Sequence, residues 1–146
     1  MKWGTIIALL IAAAALIFYL TQDRSGGPNN AGVAETPLPE GALVAVTLPA
    51  SLSDQEKMGE RAYDATCATC HGANAQGQDG IAPPLVHKIY EPSHHGDMAF
   101  LVAAKNGVRA HHWNFGNMPP IEGITQAEVR DIVAYVRALQ RANGIE

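Results

Sequence analysis

The chain has 146 residues, 47% of them hydrophobic and 16% charged, with a net charge of −4. That length suits one ordinary domain with an appendage, and the apolar content excludes a disordered chain. Ten basic against fourteen acidic residues, with no Lys/Arg cluster, exclude the electrostatic footprint of a nucleic-acid binder, and two cysteines are too few for a disulfide-stapled scaffold or a four-cysteine zinc site.

Thr5 to Leu20 is a run of sixteen uncharged, almost wholly apolar residues. Counted from Trp3 it reaches the length of a membrane-spanning helix, about 17–25 residues, and Trp3 and Tyr19 stand near its ends, where interfacial aromatics belong. A cleaved secretory signal is the alternative. Ala12 to Ala15 offer small residues for a cut, but cleavage there leaves Leu16 to Leu20 exposed, so residues 1–20 are read as a retained anchor. The segment is apolar on every face, which argues against a helix of the globular domain. From 21 to 50 the chain is broken by Pro28, Pro37, Pro39 and Pro49, with glycines between them, and reads as a linker. As a flexible coil its roughly 30 residues span about 30 Å. Ala42 to Leu48, an apolar run, is expected either to form a short strand or to pack on the head.

Residues 51–146 read as that head. Ser53 and Glu56 have the spacing of a capping box and open a helix running through Met58, Gly59, Ala62 and Tyr63. Asp97 to Asn106 reads as a middle helix stopped by Gly107. Thr125 and Glu128 form a second capping box, followed by Val129, Ile132, Val133, Val136 and Leu139 at helical spacing, with Gly144 just past the end. No segment alternates like a strand, so the head is expected to be all-α. Two long loops, 72–92 and 108–123, and three short helices make a thin core for this length, which implies that something other than side chains fills it.

Cys67-Ala68-Thr69-Cys70-His71 supplies a candidate. Two thiols three residues apart add to the two vinyl groups of a haem, and the next histidine is placed to ligate iron. Three other readings compete. A thioredoxin-like redox pair lacks its βαβ context, a zinc site needs four ligands and could draw on His71 and another histidine, and a plain disulfide between Cys67 and Cys70 is the third.

With the rest of the head, this string resembles a class I cytochrome c. Gly59-x-x-x-Tyr63 precedes the cysteines as the family's helix-crossing glycine and aromatic do, and the C-terminal helix carries Tyr135. Ala82-Pro83-Pro84-Leu85 is similar to the family's Gly-Pro-x-Leu stretch, with Ala82 in place of glycine. The resemblance implies a covalent haem c on Cys67 and Cys70, His71 as one axial ligand with its Nδ1 proton held by the Pro83 carbonyl, and Leu85 against the porphyrin. It also implies Met118, in Gly116-Asn117-Met118-Pro119-Pro120, as the sixth ligand. A thioether favours ferrous iron, and two following prolines restrict the loop. Met58 and Met98 read as core fillers.

His87, His94, His95, His111 and His112 fall within 26 residues. They are expected either to line the haem edge and bond propionates or loop carbonyls, or to build a second site for copper or zinc. Arg109 and Trp113 flank the second pair, as propionate partners or as a solvated charge and a packed aromatic. Filled axial positions leave no open iron site, so the resemblance implies a one-electron carrier and no enzyme. Because c-type haem attachment occurs outside the cytoplasm, it further implies a periplasmic head on an inner-membrane anchor, exchanging electrons with donor and acceptor proteins of a respiratory or photosynthetic chain. The alternatives are a haem subunit of one dehydrogenase or oxidase, and a ligand-binding haem enzyme or sensor.

Overall fold

The computed structural model describes residues 38–146. The anchor reading for 1–20 and most of the linker lie outside them, and no helix among the described residues is long and apolar enough to cross a membrane. Four α-helices follow in order: α1 Asp54–Thr66, α2 Ala68–His71, α3 Asp97–Asn106 and α4 Gln126–Ala142, with 3₁₀ turns at Ala73–Ala75 and Lys88–Tyr90. No strand occurs among the described residues; the extended backbone makes only isolated bridges, Gln78 to Ala82 and Val108 to Met118. The head is all-α, as expected.

Both capping boxes form. The Ser53 hydroxyl accepts from Glu56 N while Glu56 Oε2 accepts from Ser53 N at 2.7 Å, and Thr125 and Glu128 repeat the exchange at the start of α4. Such boxes satisfy backbone N–H groups that the first helical turn leaves unpaired. They also hold the Glu56 carboxyl below its ordinary value, chiefly through the Ser53 backbone N–H, and the Glu128 carboxyl likewise through the Thr125 hydroxyl and N–H. At the end of α3, Gly107 takes φ +72 and its N–H caps the helix on Ala103 O.

The two long helices cross at Gly59. A Cβ there would stand 1.9 Å from the Asp131 carbonyl oxygen, so only glycine permits the approach. Around this crossing Tyr63 and Tyr135 pack with ring centroids 5.6 Å apart, and Val136 and Leu139 are fully buried. The two phenols are not left unpaired: Tyr63 donates to Gly72 O at 2.9 Å and Tyr135 to Asn74 Oδ1 at 3.1 Å. These bonds anchor the chain just after α2, where Asn74 and Ala75 adopt left-handed φ values of 54° and 61°. A smaller cluster of Ala104, Val129 and Val133 joins α3 to α4.

Of the two expectations for Ala42 to Leu48, the run packs on the head: Leu43 and Val44 donate to Gln76 O, Thr47 exchanges two hydrogen bonds with Asn143, and Val46 packs on the core. The reason is apolar surface that a coil would leave in water. Met58 and Met98 are not core fillers, being 47% and 67% exposed. Gly59, Ala62 and Tyr63 turn inward, which carries Met58 off the buried face of α1.

Candidate functional site

A cavity of about 480 Å³ opens beside the helix crossing, walled by the ends of α1 and α2, the 72–92 loop, α3, the 108–123 loop and the start of α4. Cofactor sites range over about 300–1,000 Å³. Its wall is largely aliphatic and aromatic, with Leu85, Phe100, Ile121 and Ile132 among the contributors.

Cys67, Cys70 and His71 enter this wall through local helix geometry. Cys67 ends α1, its N–H bonded to Tyr63 O at 2.7 Å, and its carbonyl receives the N–H groups of Cys70 and His71, so the next turn brings both thiols and the imidazole to one side. The cysteines carry no disulfide. Burial pushes the Cys67 thiol up, against the Thr66 hydroxyl beside it, the reverse of the shift that activates a redox CxxC pair.

His71 is buried, and its Nδ1 lies 2.8 Å from Pro83 O. A carbonyl only accepts, so Nδ1 bears the proton and donates, leaving the lone pair on Nε2. Burial holds the imidazole below its ordinary range, outweighing the Pro83 carbonyl, which favours the charged form. The ring is thus a neutral donor in the tautomer that a metal requires.

Met118 reaches the same cavity from the opposite loop. Its backbone pairs in both directions with Val108, at 2.9 and 3.0 Å, and Ile121 N bonds Ala104 O at 2.8 Å, so the segment on either side is fastened to the end of α3. Gly107 makes room: a Cβ there would stand 2.5 Å from Met118 O. Asn117 closes the loop by accepting from Ala110 N at 2.9 Å.

Pro83, Leu85 and Trp113 also line the cavity. Trp113 stacks on Phe115 with centroids 5.7 Å apart and has His87 against its edge, yet its buried Nε1–H has no hydrogen-bond acceptor. The nearby Tyr90 hydroxyl, whose ionisation burial pushes up, does not supply full bonding geometry. A buried unpaired donor is costly unless a bound group satisfies it. Arg109 does not join the wall; its side chain is exposed, and its contribution is a carbonyl that accepts from His111 Nδ1 at 2.8 Å. That exposure matches the solvated-charge alternative for Arg109.

The histidines divide. His87 caps the Lys88–Tyr90 turn, its Nδ1 accepting from Ile89 N, whereas His94, His95, His111 and His112 gather at the cavity's edge. Lost hydration, then the neighbouring His111, His95 and His94, hold His112 below the ordinary imidazole range.

Two residues of the framework escaped sequence reasoning. Arg137 is buried on α4, donating to Asp97 Oδ1 at 2.9 Å, Tyr90 O at 2.7 Å and His95 O at 2.6 Å, with its guanidinium over the Phe100 ring. Gln140, fully buried, donates to Leu85 O and Tyr90 O. Their signal was positional: both fall eight and eleven residues after Val129, on the apolar stripe of α4, where a polar residue implies a buried network.

The donor set fits a haem: two thiols, a neutral imidazole with Nε2 unengaged, a thioether, an apolar wall and an unsatisfied N–H suited to a carboxylate. The family model described as Cytochrome c matches residues 56–140, more than half of the chain. A comparison with curated proteins gives no match.

Proposed function

Because the chain belongs to the cytochrome c family, as a class I member binding covalently attached haem c, we propose that it is a membrane-tethered periplasmic carrier of single electrons with His71 and Met118 as axial ligands. When bound, haem supplies one reversible electron between ferric and ferrous iron. Cys67 and Cys70 fix the macrocycle to the turn after α1. His71 is oriented by Pro83 O, so no rotation of the ring is needed when the charge on iron changes. Met118 is restrained by its bridge to Val108 and by Pro119 and Pro120, which limits rearrangement between oxidation states. Trp113 Nε1–H is available to a propionate.

What carries the reading is that Cys67, Cys70, His71 and Met118 all line one apolar cavity, with the His71 ring bonded to Pro83 O and the Met118 main chain paired with Val108. The membrane tether rests on the apolar run Thr5 to Leu20, and the periplasmic side on where c-type haem is attached. A tether keeps the head concentrated near membrane-bound donor and acceptor complexes.

The full chain, produced in a host that matures c-type haem, should remain with membranes through a high-salt wash and give a reversible one-electron redox titration without rapid carbon monoxide binding by the ferrous form. Rapid carbon monoxide uptake would contradict a filled sixth position, and release of the head by salt alone would contradict the tether.

A further inference from the structure

Four histidines that the carrier role does not use crowd one edge of the cavity, two from the turn before α3 and two from the loop after it. We propose that His94, His95 and His112 form a binding site for a late first-row divalent cation, with Cu²⁺ the preferred ion. Each ring offers one donor nitrogen, and the three donors lie within 4.8 Å of one another.

The fold makes the arrangement. His94 N and His95 N both bond to Glu91 O, at 3.0 and 2.8 Å, in a tight turn that points successive side chains to one side. Their rings then stand 5.4 and 5.3 Å from His112, and 4.7 Å from each other, centroid to centroid. Adjacent histidines seldom share a metal in regular structure, and this turn removes the obstacle. His95 is also pre-oriented, since its Nδ1 donates to Ile89 O at 2.6 Å and leaves the Nε2 lone pair outward, the orientation that carbonyl partners give to metal-binding imidazoles. The carbonyl of His95 is itself held by buried Arg137 at 2.6 Å.

In the square-planar or tetragonal setting that Cu²⁺ prefers, nitrogens about 2.0 Å from the ion stand about 2.8 Å apart as neighbours and about 4.0 Å apart when opposite. Closing from 4.8 Å therefore takes about 2 Å at most, which side-chain rotation of the exposed His94 and His112 provides. An all-nitrogen set suits copper, zinc and nickel over calcium or magnesium, and affinity along the divalent series peaks at copper. His111 is a neighbour: its ring is 4.2 Å from that of His112, and its Nδ1 is committed to Arg109 O.

The test is a Cu²⁺ titration of the oxidised, haem-loaded full chain against a chromophoric chelator, with His94→Ala, His95→Ala and His112→Ala beside the wild type. One Cu²⁺ per chain is expected at the cluster, each substitution weakening it by about tenfold or more while the haem absorbance stays that of wild type. Affinities within about twofold of wild type in all three variants would overturn the site. Should a variant lose its haem absorbance and so its fold, the wild type decides alone: its Cu²⁺ paramagnetic resonance spectrum must show nitrogen coupling from at least two imidazoles, and its absence would overturn the proposal.

Discussion

Arg137 shows how much of the site depends on a residue that never touches the cavity's chemistry. Its guanidinium joins α4 to the start of α3 and to the carbonyls of Tyr90 and His95, so it fixes the loop that delivers one wall. Removing it leaves the His95 carbonyl without its donor, the Tyr90 carbonyl with Gln140 alone and Asp97 without its partner, and Arg137→Met should lower stability by about 3 kcal/mol, read as a fall in the thermal midpoint of the haem-loaded protein. A loss below about 0.5 kcal/mol would mean that the loop holds itself. At this scale the sequence was legible where a residue's partner is a near neighbour or belongs to a specific string: Cys67, Cys70 and His71 together with Pro83, twelve positions on. It was silent on Arg137 and Gln140, whose acceptors are loop carbonyls 47 and 55 residues away. For Arg109 the sequence left two readings open, because proximity to a functional loop says nothing of side-chain direction.

Helices α1 and α4 begin, and α3 ends, where a cap dictates, which is why those three bounds could be read from Ser53, Thr125 and Gly107. The caps also predict a pH response. Glu56 and Glu128 titrate below their ordinary 4.5 when folded, so the unfolded chain takes up protons first as acid is added. Stability from these groups is therefore full above about pH 4.5 and falls as pH drops through the lowered folded values. Urea unfolding followed from pH 6 to 3 should show that slope, and the double variant Glu56→Gln with Glu128→Gln should flatten it; an unchanged slope would remove the caps as its source. The crossing of α1 and α4 gives a sharper expectation. Gly59→Ala drives a methyl group into the Asp131 carbonyl, and forcing the helices apart should cost about 3 kcal/mol or more, measurable by chemical denaturation. Exposure of Met58 was not legible, because it depends on which face the tertiary crossing buries, whereas the apolar run Ala42 to Leu48 did signal docking on the head.

The whole head is arranged around an open cavity with a largely apolar wall, and covering that wall with a bound group removes apolar surface from water in a domain whose total stability is only about 5–15 kcal/mol. The sequence implied this through its thin core of short helices and long loops, although the loops proved to be ordered by 3₁₀ turns, a backbone bridge and the Arg137 network. A Cys67→Ser, Cys70→Ser variant, unable to attach haem, should therefore lose cooperative unfolding in calorimetry and bind hydrophobic dyes; a sharp transition near that of the holoprotein would show that the polypeptide core suffices. The central claim is a six-coordinate iron held between His71 and Met118, and the visible and near-infrared spectrum of the oxidised holoprotein beside Met118→Ala tests it most directly. The account predicts a low-spin haem whose methionine-to-iron charge-transfer band disappears in the variant. A high-spin wild-type spectrum, or one identical in both proteins, would contradict it.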